Sequence, residues 1–299
     1  MYDVNGAQWK IGSKLGTARF KHAAVALKDG RVLVIGGSGP KGVLGTTEIY
    51  DPGQKAWTAG APLAAPRSDA AATLLPDGRV LVAGGRDQRR ECVPTAEIYD
   101  PATRRFQPTA PLSAARRSPT AVLGRDEKVY LIGGSCGDTV FGMEVFDPKS
   151  GAWSKGQAPA MPRISAAAVA LADGRILLLG GSGAKTDALT MAEIWSPEGG
   201  WTRAADMRTP RLNPPAVVMD DGRVLVAGGS IAKLSPTTSV EIYDPLRDRW
   251  VEATPLPAAV ANHGAVLLGP GRALIFGGLS DTEGGRSVAG ALFYEWAAR

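Results

Sequence analysis

Proton transfer near neutral pH is the chemistry for which imidazole is best suited, and the 299-residue chain has two imidazoles, His22 and His263. They stand at matching places in two similar stretches, each fourteen residues before a glycine pair that begins at Gly36 or Gly277. Asp69 lies fifteen residues before the corresponding Gly84. His22, His263 and Asp69 are therefore the acid–base candidates. The full set at the fifteen-residue offset is Lys21, Asp69, Ser118, Ser165, Asn213 and Asn262, a polar series that with the two histidines could line a ligand site. A metal would need more donors than Asp69 supplies, so neither a metal nor a cofactor is expected. The plainer reading, and the preferred one, is that these groups satisfy strand-end backbone or water and that the histidines are unconnected.

Charge gives a second constellation. Arg19, Arg67, Arg116, Arg163 and Arg211 recur once per stretch, as do Glu48, Glu97, Glu144, Glu193 and Glu241. The arginines alone would make an anion-binding ring. In the last stretch, however, Val260 stands for the arginine and Leu292 for the glutamate. Joint loss within one repeat points to bidentate, partly buried Arg–Glu pairs that tie a first strand to a third, and so to a structural role. Residues 86–91 form the densest charge cluster. Their mixed signs read as a solvated loop, with contact to an acidic peptide as the second reading. Cys92 and Cys136 are expected in loops of neighbouring units, where a disulfide is conceivable, with two free thiols as the default.

What must position these residues is a repeat. Glycine pairs begin at Gly36, Gly84, Gly133, Gly180, Gly228 and Gly277, with spacings of 48, 49, 47, 48 and 49. Each ends an apolar run such as Val32-Leu33-Val34-Ile35, which reads as a buried strand. Asp29-Gly30, Asp77-Gly78, Asp173-Gly174 and Asp221-Gly222 precede the runs and signal hairpins. A third strand follows at Glu48-Ile49-Tyr50-Asp51-Pro52 and its echoes, and a fourth at Trp57, Phe106, Trp153, Trp201 and Trp250. Four short strands repeated six times make a radial array of four-stranded blades. Twelve residues before each glycine pair stands an alanine (Ala24, Ala72, Ala121, Ala168, Ala216, Ala265). A small residue in every copy marks the strand crowded against the central axis. The aromatics Tyr50, Tyr99, Phe146, Trp195, Tyr243 and Tyr294 are core by their period.

The expected fold is an all-β, six-bladed propeller in one domain, 1–299, with blades at about 19–63, 67–112, 116–161, 163–207, 211–256 and 260–299 plus 1–15. After Leu292-Phe293-Tyr294 no fourth strand follows, and Tyr2 to Trp9 has the spacing of Tyr50 to Trp57. The N-terminal strand is therefore expected to complete the last blade and remove its open edge. The net charge of +5 is spread around the repeats, at Arg31, Arg79, Lys128, Arg175, Arg223 and Arg272 among others, which argues against nucleic acid. No run reaches the apolar length of a membrane span, and no signal peptide is recognised, giving a slight lean to the cytoplasm.

An apolar run, Gly-Gly, then spaced Tyr and Trp resembles the kelch repeat, over the whole chain. The Asp-Gly-Arg-Val-Leu-Val variant is similar to the propeller of galactose oxidase and its bacterial relatives. The resemblance implies a propeller with a binding face, used more for protein or carbohydrate contacts than for catalysis. Galactose oxidase chemistry would require two tyrosines, two histidines and a cross-linked cysteine at copper. His263 matches one ligand position, but Asn262 stands where the adjacent tyrosine would be, and neither cysteine neighbours a candidate tyrosine. A copper oxidase is rejected.

The turns between strands one and two, and the loops between three and four, repeat almost unchanged on one face. The loops between two and three vary: Ser38–Thr46, Arg86–Pro94, Ser135–Gly142, Ser182–Thr190, Ser230–Thr238 and Leu279–Gly290. Variable loops on a constant scaffold are where recognition is placed. The expectation is a monomeric, non-catalytic module that binds a protein, peptide or glycan on that face. The rival is an enzyme resembling six-bladed kelch sialic-acid epimerases, with His22, His263 and Asp69 at the channel mouth.

Overall fold

The computed structural model describes residues 2–3, 8–9, 13–137, 139–183, 187–231, 235–280, 286–287 and 291–295. The chain is an all-β, six-bladed propeller built of antiparallel sheets. Blade 1 has strands Ala23–Ala26, Val32–Ile35, Thr47–Asp51 and Ala56–Ala59, hydrogen-bonded in chain order. Blades 2 to 5 repeat that order, starting at Ala71, Thr120, Ala167 and Ala216. Blade 6 has three strands among the described residues, Gly264–Gly269, Arg272–Phe276 and Ala291–Glu295. Backbone contacts gather the chain into two compact units, one of residues 1–123 with 127–156, the other of 124–126 with 157–299. Each carries three blades.

At the N-terminus, Tyr2–Asp3 pairs with Gln8–Trp9, with Tyr2 opposite Trp9. That is the register of Tyr50 opposite Trp57, so the segment reproduces the outer corner of a blade. The pairing described for Trp9 is thus with its own hairpin partner, and the ladder expected between this strand and the last blade is not among the described pairings.

The second strands explain their unbroken apolar runs. In blade 2, Val80 and Val82 pack with Leu33, Ile35 and Tyr99 on the side of blade 1, while Leu81 and Ala83 pack with Val129, Leu131 and Phe146 on the side of blade 3. Blade 5 divides in the same way, Val224 and Val226 facing Leu177 and Leu179, Leu225 and Ala227 facing Ala273 and Ile275. A strand buried on both faces cannot alternate apolar with polar. Within each unit the first strands of neighbouring blades contact one another directly, which identifies them as the inner strands and accounts for their alanines. At the outer corners, Tyr50–Trp57, Tyr99–Phe106, Phe146–Trp153 and Tyr243–Trp250 pair with ring centroids 5.0–5.2 Å apart. The indole N–H of Trp153 reaches back to the carbonyl of Ala110, and that of Trp250 to Ala205, fastening each blade to the segment before it.

The loops sort by end as the meander requires. Turns between strands one and two close on Asp-Gly: Gly30 has φ of 82°, and Asp29 accepts the backbone N–H of Arg31 while its other oxygen holds the Arg31 guanidinium. Asp77–Arg79, Asp173–Arg175 and Asp221–Arg223 repeat the device. Between strands three and four, Asp51, Asp100, Asp147 and Asp244 cap the loop by accepting N–H bonds two residues on. Much of the recurrent basic charge is therefore neutralised locally.

Candidate functional site

At the entry to each of the first five blades an arginine is buried. Arg67 places all its donor nitrogens: Nε to the carbonyl of Ala65, Nη1 to those of Gly84 and Thr95, and Nη2 to Thr95 Oγ1 and Glu97 Oε1, the last at 2.8 Å. Glu97 in turn accepts the backbone N–H of Ala64. Arg19–Glu48, Arg116–Glu144, Arg163–Glu193 and Arg211–Glu241 repeat the ion pair, and Arg116 and Arg163 also repeat the Nε bond to a carbonyl two residues back. The ion pair runs through one guanidinium nitrogen and one carboxylate oxygen, in place of the bidentate fork expected. The remaining donors are needed for carbonyls at both ends of the loop between strands two and three. Burial lowers the pKa of Arg67, Arg116, Arg163 and Arg211, and the paired glutamate opposes the shift.

The glycine pairs serve these same entries. Gly85 and Gly181 donate N–H to the carbonyls of Arg116 and Arg211 in the next blade at 2.8 and 2.7 Å. A Cβ on Gly181 would stand 2.6 Å from the carbonyl oxygen of Ile164. Side chains are excluded by neighbouring backbone on both sides.

Lys21, Asp69, Ser118, Ser165, Asn213 and Asn262 share one conformation. Each is left-handed, with φ between 45° and 55°. They also pass hydrogen bonds from blade to blade: Asp69 N–H to the Lys21 carbonyl at 3.1 Å, Ser118 N–H to the Asp69 carbonyl at 2.8 Å, and in the other unit Asn213 N–H to the Ser165 carbonyl at 2.7 Å. Asn and Asp tolerate this conformation best among residues with a side chain, and β-branched residues least. The polar character of the column thus has a backbone cause.

Their side chains differ in what they do. Asp69 lies between Lys21 and Arg86, at 3.5 and 2.8 Å. Asn213 donates to Asn262 at 3.2 Å on an exposed surface. His22 is exposed, and desolvation of its ring followed by the nearby Arg19 guanidinium lowers its pKa. His263 is 9 % exposed and its ring covers Gly228 of the preceding blade. Its Nε2 lies 2.9 Å from the Ala227 carbonyl, which fixes the proton on Nε2. Burial, with Arg211 adding to it and the Ala227 bond opposing it, lowers the pKa to about 4. His263 is a neutral imidazole packed between blades 5 and 6.

The loop after strand two of blade 2 is more ordered than its charge pattern implied. Asp87 accepts the N–H groups of Arg89 and Glu91, Arg90 is left-handed at φ 67°, and Arg86 bridges to Cys92. The segment is a short hairpin with Arg89 and Arg90 exposed at its tip. Gln88 accepts the N–H of Val43 from the loop of blade 1 at 2.6 Å. On the other side Cys92 is disulfide-bonded to Cys136 of blade 3, with Cα atoms 5.9 Å apart. This corrects the expectation of free thiols: the hairpin returns Cys92 to the level of Arg86, beside Ser135, whose carbonyl lies 3.6 Å from Cys92 Sγ. Other parts of the variable loops, at 138, 184–186, 232–234, 281–285 and 288–290, lie outside the described residues.

Clefts also open at the constant end, which sequence reasoning passed over. One of about 330 Å3 between blades 4 and 5 is lined by Leu171, Asp173, Asp221, Arg223, Asp244 and Leu246, among others. Its carboxylates pair with Arg175, Arg223 and Arg247, and Leu246 is 90 % exposed at its rim. Blades 1, 2 and 5 each carry both Asp-Gly-Arg and Asp-Pro, and a feature repeated in this way gave no signal.

A curated set of proteins contains no significant match to the chain. The family model described as the Kelch motif matches residues 19–64, 116–159 and 211–257. Those spans coincide with blades 1, 3 and 5, and blades 2 and 4 carry the same glycine pair, Arg–Glu pair and corner aromatics. Three blades are thus Kelch motifs, and the propeller is of the kelch-repeat type.

Proposed function

We propose that this propeller is a monomeric binding module that recognises a protein or peptide on the face carrying the loops between strands two and three, with a glycan as the other ligand class that face could accept. Kelch propellers are commonly protein-interaction modules. One observation carries the placement. The buried polar groups are used alike in successive blades, on Arg–Glu pairs and glycine-pair contacts, whereas the side chains that differ from blade to blade are exposed at this end. Two of the three groups nominated for acid–base work are committed elsewhere: Asp69 to Lys21 and Arg86, His263 to the Ala227 carbonyl. That supports binding over an epimerase-like reaction.

The test is a peptide array and a glycan array probed with the native chain and two sets of variants. One set alters Lys41, Arg89, Asn213 and Asn262 at the variable end, the other Lys55, Arg104, Lys149 and Arg247 at the constant end. Loss of the same signals in the first set alone supports the proposal. Loss in the second set alone, or turnover of an arrayed glycan, overturns it.

A further inference from the structure

We propose that the hairpin 86–92 is the principal recognition element, and that it takes an acidic polypeptide segment bearing an apolar residue. The inference rests on the placement of the binding face argued above and names the chemistry of the partner. Three observations carry it. First, the hairpin is held on both flanks, by Gln88 to Val43 and by Cys92 to Cys136, and is ordered internally by Asp87. A loop whose conformation is set before binding loses little entropy on association. Second, what it presents is cationic. Arg89 and Arg90 are exposed at the tip, Lys21 and Arg86 together surround the single carboxylate of Asp69, and Asp87 has its Oδ1 occupied by loop N–H groups. Third, Phe20, next to Lys21 in the chain, is 60 % exposed, the largest exposure of any aromatic side chain among the described core-forming types. An arginine pair at the same end of the blades as an exposed ring suits carboxylates flanking an apolar side chain.

A polynucleotide fits less well. Asp69 and Glu91 interrupt the cations, and regularly spaced phosphates would meet both. A polypeptide can place its carboxylates to avoid them.

The experiment uses the intact chain with its disulfide formed. An array of short synthetic peptides graded in Asp and Glu content, with one Leu or Phe moved along each, is probed beside heparin and single-stranded DNA. The best peptide is then titrated by fluorescence anisotropy at several salt concentrations. The expected result is retention that rises with acidic content and with the apolar residue. The double variant Arg89→Ser with Arg90→Ser should weaken binding by about tenfold or more and flatten its salt dependence. Arg104→Asn with Lys149→Ser removes the same charge from the other end of the blades and should leave affinity within about twofold. Reducing and alkylating Cys92 and Cys136 should weaken the peptide while circular dichroism holds. Retention indifferent to acidic content, heparin or DNA outcompeting every peptide, or equal loss from both double variants would overturn the inference. Binding that survives Arg89→Ser with Arg90→Ser but fails on Asn213→Ala with Asn262→Ala overturns this inference and leaves the face assignment standing. Binding that no variable-end substitution touches overturns both.

Discussion

Arg67 and Glu97 meet at 2.8 Å with 0 and 2 % of their side chains exposed, and no donor of the arginine lacks an acceptor. Such a pair holds the crossover into blade 2, the loop 84–95 and the third strand in one geometry. Substituting Arg67→Met strands a buried carboxylate and three carbonyls. The expected loss is about 3–5 kcal/mol of stability, read by urea unfolding. The double variant Arg67→Met with Glu97→Leu, which copies the Val260 and Leu292 of blade 6, should recover about 1–3 kcal/mol relative to the sum of the singles. If Arg67→Met instead weakened a ligand and left unfolding unchanged, the arginine would belong to the binding site.

His263 gives a pH dependence with a definite sign. Its folded pKa is about 4 against an ordinary 6.5, because burial disfavours the imidazolium. Between those values the unfolded chain binds a proton that the folded chain refuses. The contribution is therefore complete above about pH 6.5 and is lost as pH falls toward 4, to the extent of about 3 kcal/mol. His263→Gln should flatten the unfolding midpoint over that window. A wild-type midpoint that does not fall between pH 6.5 and 4.5 would contradict the burial of this ring.

The repeat, its corner aromatics and the Arg–Glu columns were legible because each is a periodic signal tied to a local rule. The six residues from Lys21 to Asn262 carried a signal that the sequence alone left divided between a strand-end role and a binding ring. A column of Lys, Asp, Ser, Ser, Asn and Asn, free of β-branched residues, marks a left-handed backbone as much as a binding ring, and φ of 45–55° is its cause. The disulfide was illegible for a geometric reason. Cys92 follows its glycine pair by seven residues and Cys136 by two, so they align only once residues 86–92 fold back on themselves. The exposure of Phe276 also lay beyond the pattern: it is 37 % exposed, whereas its counterparts Ile35, Ala83, Ile132, Leu179 and Ala227 are at 2 % or less.

That contrast predicts unequal costs for similar substitutions. Leu179→Ala removes a fully buried side chain and should cost about 2–5 kcal/mol. Phe276→Ala, despite deleting more carbon, should cost less than Leu179→Ala, because over a third of the ring already meets water. Thermal unfolding of the two variants in parallel decides it, and a larger loss at Phe276 would contradict the exposure of this side chain.

Two glycines separate backbone strain from steric exclusion. Gly30 and Gly181 have nearly equal φ, 82° and 85°, but a Cβ on Gly30 meets nothing within 4 Å, while one on Gly181 meets the Ile164 carbonyl at 2.6 Å and the Ala166 side chain at 2.9 Å. Gly30→Ala should therefore cost only the left-handed penalty, about 1–2 kcal/mol. Gly181→Ala must in addition push blade 4 backbone away from the entry that Arg211 braces, which breaks the N–H bond from Gly181 to the Arg211 carbonyl. A further loss of about 1–3 kcal/mol is expected from that bond alone. Equal destabilisation of the two variants would mean that the second glycine of each pair is kept for its φ, and that the close approach of the neighbouring strand plays no part.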